Sequence, residues 1–199
     1  KKPIIILDGV DFGSKDLGIR GCKNGECGDF GWFDLLHPNV DEYPQMLKMP
    51  SLISQLNNLN YDVIFLDNEY GADFMQRNAM LLVSLINKIN AEKCDCDEIV
   101  VVGPSMGGQV ARYALSYMEK NNIPHETRLF IAFDSPNKGA NIAIGSQEGA
   151  EYFAPAQEGS KWAYENQLGS PAAKQLLIAN VHGSGFNPHS HRGSFLSDL

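Results

Sequence analysis

Basic side chains are the scarce ones in this chain: 16 Lys and Arg stand against 24 Asp and Glu over 199 residues, a formal net charge of -8. No Lys/Arg cluster offsets that balance locally, so a phosphate backbone would be repelled and nucleic acid is not an expected partner. Long apolar runs are missing too. None approaches the ~20 residues of a membrane-spanning helix, so no transmembrane segment is expected. No charged-then-apolar leader precedes Pro3, which fits either a cytosolic chain or one whose sequence begins after processing. Cysteine occurs four times, as Cys22 and Cys27 in a glycine-rich loop and as Cys94 and Cys96 around one aspartate. Neither spacing is the paired C-x-x-C of a zinc site. A Cys22–Cys27 bridge is sterically reasonable and would favour a secreted or periplasmic origin, while a pair of free thiols fits the spacing equally well. The phosphate loop G-x-x-x-x-G-K-[ST] and the dinucleotide fingerprint G-x-G-x-x-G are both absent, so no cofactor is expected.

What is present reads as one folded domain over residues 1–199, since 43% hydrophobic and 20% charged residues lie near the globular average. PIIIL (3–7) is a short β-branched run ending at Asp8-Gly9, the profile of a buried strand that stops at a turn. From Asp11 to Pro38 glycines, charges and Trp32-Phe33 follow without a period, as in a long loop. SLISQLNNL (51–59) then carries the three-and-four spacing of a helix capped by Ser51, and YDVIFL (61–66) a second strand. Leu81, Leu82, Leu85, Ile86 and Ile89 make a wide stripe on a helix over 79–89. A third strand is expected over 99–102, a helix after Ser105 and a fourth strand over 129–133. Strands apolar on both faces that alternate with helices imply an α/β fold, a mostly parallel sheet with helices on both faces. Beyond Asp134 the alternation stops. Residues 145–169 show no period, Ser170-Pro171 opens a helix expected to run through Val181, and Ser194–Leu199 looks like the start of another.

The stretch VVVGPSMGGQVARYAL (100–115) sets Ser105 between glycines where a buried strand gives way to an amphipathic helix. Gly103-Pro104-Ser105-Met106-Gly107 matches G-x-S-x-G. The five residues alone are a weak match, but strand, turn and helix in that order are the context of a nucleophile elbow. A sharp strand-to-helix turn strains the serine backbone and crowds positions two residues either side, where glycine leaves room. The helix start then aims free N–H groups at the place where an oxyanion would form. An inert tight connection is the competing reading.

GPSMGGQVARYAL resembles the elbow of α/β-hydrolase lipases and esterases. PIIILDGV is similar to the strand that leads into their oxyanion loop, with Asp8 in place of the usual histidine, and LFIAFDSPNKGANI to the strand after the elbow helix. The likeness spans about residues 2–145. It implies Ser105 as the acyl-accepting nucleophile, with the N–H groups of Met106 and Val10 as the oxyanion hole. Serine, acid, histidine is the order along the chain in this fold, which makes Asp134 the first candidate acid; a cap on the loop 135–138 is its competing role. His37 and His125 fall in the wrong part of that order. His189 and His191 serve as the base only if the 199 residues are complete and fold back over Ser105. The expectation is instead a C-terminally incomplete hydrolase domain, with the histidine beyond Leu199. Residues 145–181 fall where such enzymes carry a lid, so Tyr152, Phe153 and Trp162, with Leu176, Leu177 and Ile178, are expected to line an acyl pocket. Taken together, the sequence reads as a serine hydrolase of carboxylic esters acting on a small-molecule or lipid ester. An inactive hydrolase-fold binding domain and an acyltransferase with the same nucleophile are the alternatives.

Overall fold

Four β-branched runs become the four strands of one parallel sheet. The computed structural model describes residues 2–10, 50–66, 68, 70–93 and 98–199. Its strands are β1 (Lys2–Leu7), β2 (Tyr61–Leu66), β3 (Ile99–Pro104) and β4 (Thr127–Phe133). They lie in the spatial order β2-β1-β3-β4, with Ile5 opposite both Ile64 and Val101. The chain therefore starts inside the sheet, steps out to β2, returns past β1 to β3 and continues outward to β4. The direction of travel reverses between β1 and β3, and open α/β sheets place their ligand crevices outside the carboxyl ends of strands at such a reversal. Those ends lead here into Asp8-Gly9-Val10 and into Ser105.

Helices cover both faces. On one, Ile5, Leu7 and Val101 pack against Leu82 and Ile86 of α2 (Met75–Glu92) and against Val110, Ala114 and Met118 of α3 (Met106–Lys120), all of them buried. On the other, Ile4, Ile6 and Val100 meet Leu56 of α1 (Pro50–Asn58). Each fully buried aliphatic side chain contributes roughly 1.5–3 kcal/mol, so the first cluster carries most of the apolar stabilisation. β4 departs from the expectation of strands covered on both sides. Phe130 joins the core, whereas Leu129, Ile131 and Phe133 on its other face are 43%, 40% and 51% exposed among the described residues.

The aperiodic stretch after β4 is helical: α4 (Ile144–Phe153), α5 (Glu158–Trp162) and a π-helix (Ala163–Leu168) precede α6 (Pro171–Leu176). Ser170 caps α6 as expected, its hydroxyl accepting from Ala173 N–H at 3.1 Å with Pro171 in the first turn. The helix stops at Leu176 rather than Val181 because the backbone there turns to pair with another segment. Ala140 N–H donates to Leu176 O at 2.9 Å and Ile178 N–H to Ala140 O at 3.0 Å, a bridge that requires Leu177 to be extended. A helical turn at Val181–Ser184 and α7 (Ser190–Asp198) complete the order. α7 begins four residues before the expected start at Ser194. It docks through Phe195, which is 2% exposed and stacked on Tyr113 at 5.8 Å. The loop from Asp11 to Pro38, with Cys22, Cys27, Trp32 and His37, and the pair Cys94 and Cys96 lie outside the described residues.

Phe195 is the side chain through which α7 enters the main core. Phe195→Ala is therefore expected to cost about 3–5 kcal/mol, read as a lower urea midpoint at unchanged slope. A loss below ~1 kcal/mol would mean that α7 does not dock there.

Candidate functional site

Ser105 stands between the last residue of β3 and the first of α3 with φ 50° and ψ -128°. That conformation costs a non-glycine residue on the order of 1–3 kcal/mol and persists only where the surroundings over-determine it. Here they do. Ser105 N–H donates to Phe133 O at 2.9 Å, and its carbonyl accepts from Gly108 N–H at 3.2 Å. A Cβ on Gly103 would lie 2.5 Å from Gly107 O and from Gly108 Cα, and one on Gly107 would run into the carbonyl oxygen of Asp8. Gly108 adds a third close approach, because a Cβ there would meet the Ser135 hydroxyl. The glycines flanking the serine thus let the first turn of α3 press onto the ends of β1 and β3. The Ser105 side chain is part-exposed, and among the described residues its hydroxyl has no hydrogen-bond partner.

Two backbone donors stand at this edge. Among the described residues, the N–H groups of Met106, the first residue of α3, and of Val10, three residues past β1, have no backbone acceptor. Asp8, buried in place of the histidine that the resemblance called for, turns its Oδ1 onto Gly9 N–H at 2.7 Å, fixing the turn that leads to Val10.

Val10 and Ser105 open on a cavity of about 390 Å³, within the ~300–1,000 Å³ of small-molecule sites. Pro136, Ala140 and Ile142 from the segment after β4 form one wall. Ser146, Gln147 and Ala150 of α4, Ala163, Gln167 and Leu168 of the π-helix, and Ala172, Ala173, Leu176 and Leu177 at α6 form the rest. Of the expected pocket residues, Leu176 and Leu177 are there, but Tyr152, Phe153, Trp162 and Ile178 are not among the lining residues. Tyr152 is 77% exposed and meets Phe153 edge-on at 5.0 Å. The lining alanines carry no sequence signal of their own, since alanine in a helix reads as propensity rather than as a wall.

Asp134 is the first residue past β4, next to the Phe133 carbonyl that holds Ser105. It is exposed, has φ 46°, and among the described residues has no side-chain partner. The loop that follows is held by a residue that sequence reasoning passed over. Gln109, buried in the first turns of α3, donates from Nε2 to Asn137 Oδ1 at 2.9 Å and to Ser135 Oγ at 3.3 Å.

Neither His189 nor His191 lines the cavity. His189 caps α7, its Nδ1 accepting from His191 N–H at 3.2 Å, and the two rings meet at 4.4 Å. His191 also packs against Phe74 at 5.4 Å. His182 lies against the Tyr164 ring at 4.7 Å, and His125 accepts from Thr127 N–H at 3.0 Å. Burial, then the positive neighbours His191, Lys174 and His182, lower the pKa of His189 below its ordinary 6.5. Arg192, beside them, donates to Lys138 O at 2.8 Å and to Leu176 O at 3.1 Å, tying two walls of the cavity together.

A family model described as a PGAP1-like alpha/beta domain matches residues 52–184. No match is found among curated proteins or among solved structures.

Gly107→Ala is expected to destabilise the fold by about 1–3 kcal/mol, because the new methyl must displace the Asp8 backbone rather than a flexible side chain. An unchanged urea midpoint would show that this contact yields freely. For His189 the lowered folded-state pKa means that the unfolded chain takes up the proton first as pH falls. Its contribution is thus whole above the unfolded value of ~6.5 and is lost below it. The melting temperature should fall from pH 7 to pH 5, and His189→Asn, which keeps a capping side chain, should flatten that fall. A steeper fall in the variant would reverse the sign.

Proposed function

Because the chain belongs to the PGAP1-like alpha/beta domain family, and so to the alpha/beta hydrolases, we propose that it is a serine hydrolase that cleaves a carboxylic ester through an acyl-enzyme on Ser105. One observation carries the reading: a serine at φ 50°, ψ -128° between a buried strand and a helix start, at the wall of a cavity. This is the conformation a nucleophile elbow requires, and among the described residues the hydroxyl has no hydrogen-bond partner. The Oγ adds to the ester carbonyl, and the oxygen that becomes negative takes hydrogen bonds from Met106 N–H and Val10 N–H, reinforced by the positive end of α3. The C–O bond to the alcohol then breaks and the alcohol leaves with a proton. Water adds to the acyl-serine and releases the carboxylic acid, restoring the hydroxyl. Asp134 is the carboxylate we assign to orient the proton-accepting base. Transfer of the acyl group to an alcohol instead of water would use the same residues.

A second reading, a hydrolase-fold binding domain without turnover, has its own observation: among the described residues no histidine lines the cavity. A fluorophosphonate probe separates the two. The hydrolase reading expects one adduct per chain by intact mass, located on Ser105 and absent from Ser105→Ala. A folded chain that stays unlabelled at millimolar probe supports the binding domain and overturns the hydrolase.

A further inference from the structure

Two walls of the cavity are joined by one guanidinium. Arg192, in the first turn of α7, donates from Nη2 to Lys138 O at 2.8 Å, and from Nη1 to Leu176 O at 3.1 Å and Gln175 O at 3.4 Å. Leu176 belongs to one wall, and Ala140, two residues past Lys138, to the other. Gly139 between them gives the guanidinium its place, since a Cβ there would lie 2.6 Å from Arg192 Nη1. What holds Arg192 is the residue that caps its helix. His189 Nδ1 accepts from His191 N–H at 3.2 Å, and His189 O accepts from Arg192 N–H at 2.9 Å. A ring nitrogen that accepts carries no proton, so this cap exists only while the imidazole is neutral with its hydrogen on Nε2. The atom that takes up a proton in acid is the atom that makes the cap.

The surroundings are unfavourable to that proton. The His191 ring stands 4.4 Å away, and Lys174 of α6 and His182 lie within electrostatic range. Lys138 and Arg192 add charge of the same sign from the neighbouring loop and from α7 itself. His191 and His182 each carry a buried Nδ1 with no hydrogen-bond partner among the described residues. Carboxylates on the packed elements are engaged elsewhere: Asp73 with Arg77 at 2.8 Å, Asp198 with Gln76 at 3.3 Å and Glu151 with the Tyr164 hydroxyl at 3.0 Å. Glu165 on the π-helix is exposed. Among the described residues no carboxylate pairs with any of these three histidines.

We propose that the first turn of α7 is an acid-released latch: proton uptake at His189 Nδ1 breaks the cap, frees Arg192 from Lys138 and Leu176, and lets the two cavity walls part. The inference goes beyond the ester-hydrolase reading and stands whether or not Ser105 is a nucleophile. Phe195 keeps the rest of α7 in the core, so the opening is local. Its range follows from the direction of titration. Burial, and then the positive neighbours, hold folded His189 below its ordinary 6.5, so the latch is whole above ~6.5 and is released as pH falls below it.

Hydrogen exchange of the full chain tests the latch, each rate being divided by the intrinsic rate at that pH. The reporters are Ala140 N–H and Ile178 N–H, whose bonds to Leu176 O and Ala140 O join the two walls. Their corrected exchange is expected to rise about five-fold from pH 7 to pH 5, the worth of one helix cap, while the amides of β3 stay protected. His189→Asn, which keeps a capping oxygen and does not titrate, should abolish the rise, and Arg192→Ala should bring the fast exchange to pH 7. Parental reporters that do not respond to pH, a folded His189→Asn chain with the parental rise, or an Arg192→Ala chain as slow as the parent at pH 7 would each overturn the latch. Should His189→Asn fail to fold, Lys174→Met decides: removing one positive neighbour should shrink the rise, and a rise of parental size overturns the proposal.

Discussion

Everything at the carboxyl edge of the sheet depends on how closely the first turn of α3 approaches the ends of β1 and β3. A methyl group at Gly107 would collide with the Asp8 backbone, and one at Gly103 would collide with α3 itself. With no side chains there, the chain reverses from strand to helix within one residue, and Ser105 absorbs the whole change of direction at φ 50°. The approach is locked from both sides of the strand. β4 supplies the Phe133 carbonyl to Ser105 N–H, and Gln109 reaches from α3 to Ser135 and Asn137 in the next loop. Serine, the β1 turn and the loop after β4 therefore form one rigid unit.

The segment after β4 is built on a different principle. It places few large apolar side chains in the core and leans on buried amides instead. Gln147 joins three backbone groups, Asn180 donates to Leu168 O at 2.9 Å, and Gln175 accepts from Met75 N–H at 2.9 Å. Each such amide is nearly fully buried and bonded, which turns a desolvation cost of about 1–3 kcal/mol per unpaired group into a modest gain. Amides specify geometry more sharply than apolar contacts do. They hold short helices at set distances from one another, and the space left between them is the cavity.

This difference explains which parts could be read from sequence. The strands are legible because the central strands β1 and β3, buried on both faces, demand β-branched runs, and YDVIFL becomes β2 with no change of boundary. Ser105 is legible because a turn this tight needs glycine at 103 and 107, which leaves a pattern. The walls are not. Residues 145–169 fold as helices without an apolar period, since their contacts run through Gln147 and through alanines rather than through a leucine stripe. Tyr152 and Phe153 carry the composition of pocket residues yet lie outward, because α4 turns its small side chains toward the cavity. Of the two histidines that could have served as the base, His189 is a helix cap whose ring accepts from His191 N–H. One side chain bonding the next turn's backbone is invisible to any count of residue types.

A balance of costs bears on why so tight a turn holds a hydroxyl. Ser105 keeps a backbone strain of roughly 1–3 kcal/mol. Met106, fully buried, carries an N–H with no backbone acceptor among the described residues, and such a group costs about as much again when it lacks a partner. Neither term improves packing; a turn relaxed to ordinary torsions would recover the first, whereas the leading N–H groups of any helix lack an intrahelical acceptor. On the proposed hydrolase reading, a negatively charged oxygen between Met106 and Val10 would offset these costs, because hydrogen bonds to an ion are worth about twice those to a neutral group. On that reading the donors would stand in place before the charge exists, so no reorganisation would be needed when it develops. The proposed ester hydrolysis would thus give one explanation for a hydroxyl and two backbone amides that have no partner among the described residues.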